Sequence, residues 1–244
     1  MDLSVQALAE RIREANASKR KLRIRGGGTK DFYGAAVSGE VIDVLDTRTL
    51  TGSADHEPSE LVVTAPAGML LAELEAQLAA HGQCLAFEPP RFGPASTVGG
   101  MVAAGLSGPS RAVAGSVRDH VLGVVLVNGS GELMHFGGRV IKNVAGYDVS
   151  RLIAGSLGTL GVVVEVSLKA LPKAEAEATV RFDIKPKEAL AQLHGWGAQP
   201  LPIDASAWWN GNLVVRLRGS AAAVREALPR LGGDPIEEIG RAHV

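Results

Sequence analysis

Three glycine-rich segments carry residue types that could grip an anion through the main chain alone. The first is Arg25-Gly26-Gly27-Gly28-Thr29-Lys30. Without Cβ atoms, consecutive peptide N–H groups can turn into one concavity, a nest that takes phosphate oxygens. Thr29 adds a hydroxyl, and Arg25 or Lys30 adds positive charge. The spacing is not that of a P-loop. Nor is it the G-x-G-x-x-G fingerprint, because Asp31 stands where the third glycine belongs. The plain alternative is a tight turn.

The second segment is Pro94-Ala95-Ser96-Thr97-Val98-Gly99-Gly100, running into Met101 to Ala104. Ser96 or Thr97 can cap a helix start. Gly99 and Gly100 would leave the first helical N–H groups accessible, at the end of the helix dipole that favours phosphate. Gly105 and Gly108 would let the chain fold back close to a ligand. The alternative is a glycine-rich helix hairpin with nothing bound. The third segment, Gly155-Ser156-Leu157-Gly158-Thr159-Leu160-Gly161-Val162-Val163, precedes a strand-like run. It can set backbone groups against a flat ring such as adenine, or serve only as a strand-entry turn.

Regular elements must carry these segments. Leu3, Val5, Leu8 and Ile12 have helical spacing. Leu22 to Arg25, Val41 to Leu45 and Leu61 to Ala65 read as strands, and Met69 to Ala80 as a helix closed by His81-Gly82. Val121 to Val127 is a nearly continuous apolar run, followed by an Asn128-Gly129-Ser130-Gly131 turn and a returning strand over Glu132 to Phe136. Gly161 to Ala170 is a further strand. A composition shift at Pro172 to Glu177 marks a domain boundary, giving domains 1–172 and 173–244. The second domain reads as strand, helix, strand, strand, helix, strand, a βαββαβ order of ferredoxin-like type. Its end at Val244 has no obvious closing element, which raises the expectation of truncation. Trp208 and Trp209 should point to opposite faces of their strand, one inward and one outward.

Composition limits the function classes. The 244 residues are 46% hydrophobic and 21% charged, with a net charge of -1, which leaves no electrostatic footprint for nucleic acid or an anionic membrane. No run is long enough to span a bilayer, and no secretory signal is read at the N-terminus. The expected location is the cytoplasm, with peripheral membrane attachment only through partners. The single cysteine, Cys84, cannot hold an iron–sulfur cluster, so any electrons handled here must leave for another chain or a soluble acceptor. The 30 glycines far exceed the usual share of about 7%. Their clustering fits a chain wrapped around an extended ligand.

The ordered set R-G-G-G-T, S-T-V-G-G, N-V-A-G-Y-D and G-S-L-G-T-L-G-V-V-x-E resembles the FAD-binding domain of the vanillyl-alcohol-oxidase and p-cresol methylhydroxylase superfamily, over residues 1 to about 172. The resemblance implies an α+β fold: a two-part PCMH-type FAD-binding domain, then a short ferredoxin-like cap. Within the superfamily, Lys30-Asp31-Phe32-Tyr33-Gly34 and the short second domain resemble the FAD-binding subunits of bacterial multi-chain glycolate oxidases. By resemblance, Gly26, Gly27, Gly28 and Thr29 cradle the FAD pyrophosphate, with the Pro94 segment, Ser96, Thr97, Gly99 and Gly100 on its other side. Gly105, Ser107, Gly108 and Gly115 line the isoalloxazine and ribityl path, and Gly161 and Val162 meet the adenosine. Many relatives carry a flavin-linking histidine right after the glycine triplet. Thr29 stands there, so FAD is expected to be noncovalent. The implied partners are a second, larger FAD subunit and an iron–sulfur subunit.

Oxidising a 2-hydroxy acid requires a cation for the carboxylate and a base for the proton. No catalytic base is identified, and the second domain has no H-x-H pair for a metal. His194 reads as a surface residue, His120 as a structural hydrogen-bonder, Cys84 as a small buried hydrophobe, and Arg216 and Arg218 as a solvated sheet face. Two other readings remain open: a stand-alone FAD-dependent dehydrogenase, and an assembly subunit that keeps the flavin fold only as a docking platform.

Overall fold

The computed structural model describes residues 3–35, 43–138 and 148–236. Val41, Ile42 and all of N-V-A-G-Y-D except Asp148 lie outside them. The helices are α1 (Leu3–Ala17), α2 (Leu71–Ala80), α3 (Val98–Ala104), α4 (Arg111–Ala114), α5 (Val117–His120), α6 (Val149–Ile153), α7 (Pro186–Gly197) and α8 (Ala221–Leu231). The strands are β1 (Leu22–Arg25), β2 (Asp43–Asp46), β3 (Asp55–Glu57), β4 (Val62–Pro66), β5 (Gln83–Cys84), β6 (Val121–Val127), β7 (Leu133–Gly137), β8 (Val162–Lys169), β9 (Leu171–Pro172), β10 (Ala176–Asp183), β11 (Ile203–Trp209), β12 (Asn212–Gly219) and β13 (Asp234–Ile236).

The chain divides into two compact units, Met1–Ser107 with Gly115–Pro172, and Gly108–Ala114 with Lys173–His243. The first unit holds a five-stranded antiparallel sheet in the order β3-β4-β8-β6-β7, and the parallel pair β1-β2. In α1, Val5, Leu8, Ala9, Ile12 and Ala15 are buried, the stripe that 3.6-residue periodicity demands. They pack with Leu45, Leu50, Val124, Leu126 and Val162. A second core joins Leu71, Leu74 and Leu78 of α2 and Val98, Met101 and Val102 of α3 to Val63, Ala65, Val166 and Leu168 of the sheet. Both cores border the glycine-rich bends, so those bends are held by packed elements on either side.

The second unit is an antiparallel sheet in the order β11-β12-β10-β13, with α7 and α8 on one face. Val180, Leu213, Val215 and Leu217 meet Ala189, Val224, Ala227 and Leu231 there. Two expectations are corrected. Trp208 and Trp209 are both exposed, at 42% and 75%. Their strand β11 is an edge strand, so alternation alone buries neither ring; the Trp208 indole donates its N–H to the Ile184 carbonyl at 2.9 Å. Nor do Arg216 and Arg218 face solvent: they are tied to Asp204, Glu177 and Ser110 beneath the stretch 108–114. Cys84 is only half-buried.

Leu74→Ala should destabilise the chain by about 2–5 kcal/mol, read as a fall in melting temperature, because Leu74 is fully buried. Gly195→Ala should act in the opposite sense. Gly195 lies exposed within α7 with open space where a Cβ would stand, so a gain of about 0.5–1 kcal/mol is expected in denaturant unfolding.

Candidate functional site

The first two glycine-rich segments meet in space. β1 ends at Arg25, and the chain turns at once against residues 95–97. A Cβ built on Gly27 would overlap the Ala95 carbonyl, and one on Gly26 would stand 2.5 Å from Thr97 Oγ1. Gly28 sits in the left-handed region at φ 71°. So Gly27 is needed for one main chain to lie on another, Gly26 to clear the Thr97 hydroxyl, and Gly28 for its positive φ. Thr47 joins this contact from the end of β2: it is buried, and its hydroxyl donates to the Arg25 carbonyl at 3.3 Å. No local sequence signal marks Thr47, which was missed. Lys30 completes the junction, donating to Ser96 Oγ at 3.0 Å and the Arg91 carbonyl at 3.4 Å.

The donor inventory separates the two bends. Among the described residues, no protein acceptor takes the N–H of Gly26, Gly27, Gly28 or Thr29. The start of α3 is different. Val98 donates to the Met69 carbonyl at 2.9 Å, Gly99 to the Ala67 carbonyl at 2.8 Å, and Gly100 to Thr97 Oγ1 at 3.2 Å. The expectation that Gly99 and Gly100 offer open amides is therefore corrected. Thr97 serves as the cap, and protein carbonyls take the preceding donors because α3 is packed tightly under β4 and α2.

The two candidate cations also part company. Arg25 turns its guanidinium to Asp31 at 2.8 Å, and Arg23 reaches the same carboxylate at 3.2 Å. Lys30 has no carboxylate within ion-pair range among the described residues, and sits 5.8 Å from the centre of the Phe92 ring. Burial holds its ammonium below the ordinary lysine range. Phe92 in turn meets Phe32 edge-on at 5.1 Å.

The remaining candidates spread outward. Gly105 ends α3 at φ 65° and lies against the backbone of Gly155. Ser107 Oγ accepts the Val117 N–H at 3.1 Å, and Gly115 precedes the Ser116–Asp119 capping box. Gly108 belongs to the second unit. Gly161 packs on β6, where an added Cβ would stand 2.7 Å from the Val127 carbonyl. With Val162 it lines a cavity of about 280 Å³ walled by Ile12, Leu22, Ile24 and Leu160. Pro94 is exposed at the tip of its bend. His120 is buried on Phe87, with Nδ1 3.2 Å from the Lys169 carbonyl, a structural role. His194 is exposed. Among the described residues, no group of metal-ligating side chains converges.

Known proteins with matching sequence or fold were found. A family model described as FAD binding domain matches residues 3–137. The glycolate oxidase subunit GlcE of Escherichia coli K12 is 44% identical over 231 residues, covering 95% of this chain and 65% of that protein. A D-lactate dehydrogenase of Archaeoglobus fulgidus is 33% identical over 162 residues, covering 66% of this chain and 36% of its own. The chain thus spans just under two thirds of the first relative and about a third of the second. Among solved structures, an alkyldihydroxyacetonephosphate synthase superimposes with a TM-score of 0.70 at 19% identity, over 92% of this chain and 48% of that one, a likeness of fold alone.

Two outcomes follow from the junction. Gly27→Ala must push residues 95–97 away and should cost about 1–3 kcal/mol in thermal unfolding. Lys30 sets a pH dependence. Folding strips water from its ammonium, so the unfolded chain binds that proton more tightly than the folded chain. Stability of the ligand-free chain should therefore rise with pH from the lowered folded value up to the ordinary 10.5. Lys30→Met, with no proton to lose, should lack that rise in melts run across the pH range.

Proposed function

Because the chain belongs to the family of FAD binding domains, we propose that it holds FAD noncovalently in a multi-chain glycolate oxidase that oxidises glycolate to glyoxylate. One observation carries the placement of the cofactor. A row of main-chain donors at Gly26, Gly27, Gly28 and Thr29 lies beside a half-buried lysine, the donors without a protein acceptor and the lysine without a carboxylate among the described residues. A nest of amides next to an uncompensated cation fits a diphosphate. Ser96 and Thr97 face the same junction. They support it by holding Lys30 and α3 in place rather than by offering helix amides.

In this reading the pyrophosphate rests on residues 26–29 with Lys30 beside it. Gly105, Ser107 and Gly115 of the first unit flank the isoalloxazine and ribityl path. The adenine end lies toward the cavity that Gly161 and Val162 line, whose walls join apolar side chains such as Ile24 and Leu160 to the polar Asn16, Arg20 and Asn128. Thr29, at the position where many relatives carry a flavin-linking histidine, offers no comparable nucleophile. Bound FAD supplies the two-electron acceptance that oxidation of a 2-hydroxy acid requires.

Identity to the glycolate oxidase subunit GlcE over nearly the whole chain supports glycolate as the substrate and a complex as the setting. The partners are then a larger FAD subunit and an iron–sulfur subunit. With one cysteine this chain holds no cluster of its own, so electrons leave through those partners. The complex is placed in the cytoplasm or at the membrane periphery through its partners; no described helix is long and apolar enough to cross a membrane. The order β11-β12-β10-β13 supports reading the second unit as a ferredoxin-like cap. A second reading, a dehydrogenase acting alone, draws on identity to D-lactate dehydrogenases.

Titration of the purified chain with FAD, followed by flavin absorption, tests the site. Saturable binding is expected, and Lys30→Met should weaken it about tenfold. A wild-type chain that takes up no flavin removes the reading. Turnover of glycolate or D-lactate with a dye acceptor, by the flavin-loaded chain without partners, would favour the stand-alone dehydrogenase.

A further inference from the structure

We infer that Asp204, Arg216 and Arg218 are positioning residues that clamp Ser110 and so fix the strap Gly108–Ala114. The strap packs as part of the second unit, yet the residues on either side of it, Ser107 and Gly115, belong to the first. Ser110 is its only buried residue, at 1% exposure, and α4 within it contributes no buried side chain. Val113 is 67% exposed. Apolar burial therefore does little to hold the strap, and the polar grip on Ser110 is the described side-chain contact that fixes it.

That grip is dense. The Ser110 hydroxyl lies 2.8 and 3.0 Å from the two Asp204 carboxylate oxygens, and donates to that carboxylate. It accepts from Arg216 Nη2 at 2.8 Å and from Arg218 Nη1 at 3.2 Å. Arg216 Nε returns to Asp204 at 2.8 Å, and Arg218 holds Glu177 at 2.8 and 2.9 Å. Two cations and two anions balance, so the cluster is compensated without the serine. The strand carboxylates at 177 and 204 already satisfy both guanidinium groups. Each arginine nevertheless aims a further donor at one hydroxyl about a hundred residues away in sequence, at separations of 106 and 108. Charge-assisted bonds converging on a single oxygen define its position closely.

The strap continues directly into Ser107 and Gly115. If those residues flank the flavin, which rests on the reading proposed above, the clamp also sets the order of the bend beside the cofactor. Arg216 and Asp204 would then act on FAD binding through the chain, not by contact.

Hydrogen–deuterium exchange on the full chain, read by mass spectrometry with and without FAD, tests this. Ser110→Ala removes the hydroxyl alone, Arg216→Met removes the guanidinium, and Arg216→Lys keeps the charge. Amides of residues 108–114 should exchange about tenfold faster in Ser110→Ala, while β10 and β12 keep their protection. Arg216→Met should show the same or more, and Arg216→Lys an intermediate rate. FAD affinity should fall several-fold in Ser110→Ala. Strap exchange equal to wild type in Ser110→Ala overturns the clamp, and that variant decides if Arg216→Met unfolds the second unit. Faster strap exchange with unchanged FAD affinity overturns the link to the cofactor. A wild-type chain that binds no FAD would sink the flavin reading while the exchange comparison still judges the clamp.

Discussion

Two stretches of main chain touch with nothing between them, and much of the first unit exists to make that possible. Gly26 and Gly27 lie on residues 95–97 where even a methyl group would collide. Such an approach is not stable alone, because it orders two loops and buries little apolar surface. It is held from both sides. β1 and β2 with α1 anchor one bend, and α2, α3 and the five-stranded sheet anchor the other. Lys30 then ties the bends together through Ser96, while Thr47 holds the Arg25 carbonyl and Thr97 caps α3.

The same contact divides the chemistry. Protein acceptors consume the N–H groups at the start of α3, which makes the second bend a buttress. The first bend keeps its donors. Asp31 has a parallel effect on charge: it pairs with Arg25, while Lys30 has no carboxylate partner among the described residues. Burial of that ammonium strips it of water and holds its pKa below the ordinary lysine range.

In the second unit the apolar and polar faces of the sheet do different work. The helix-side face forms the core. The other face carries a compensated charge cluster whose added partner is a serine from a stretch that interrupts the first unit's sequence. A buried ionic group of this kind contributes little net stability against a hydrophobic alternative, but it holds one geometry.

Much was legible in the residues themselves. Helical spacing in α1, the apolar run of β6, the strand before the glycine triplet and the order of elements after Pro172 all reflect local periodicity, which a chain carries without its fold. The three glycine-rich segments stood out for the same reason, since loss of Cβ is a local property. What tertiary structure decided is every question of pairing. Which of Arg25 and Lys30 is paired with a carboxylate depends on where Asp31 lands. Whether Gly99 and Gly100 show open amides depends on the Ala67 carbonyl and the Thr97 hydroxyl. That Trp208 and Trp209 are both exposed follows from an edge position, and that Arg216 and Arg218 are covered follows from a stretch about a hundred residues distant. Sequence states what each group can bond to; only the folded chain determines which partners reach it first.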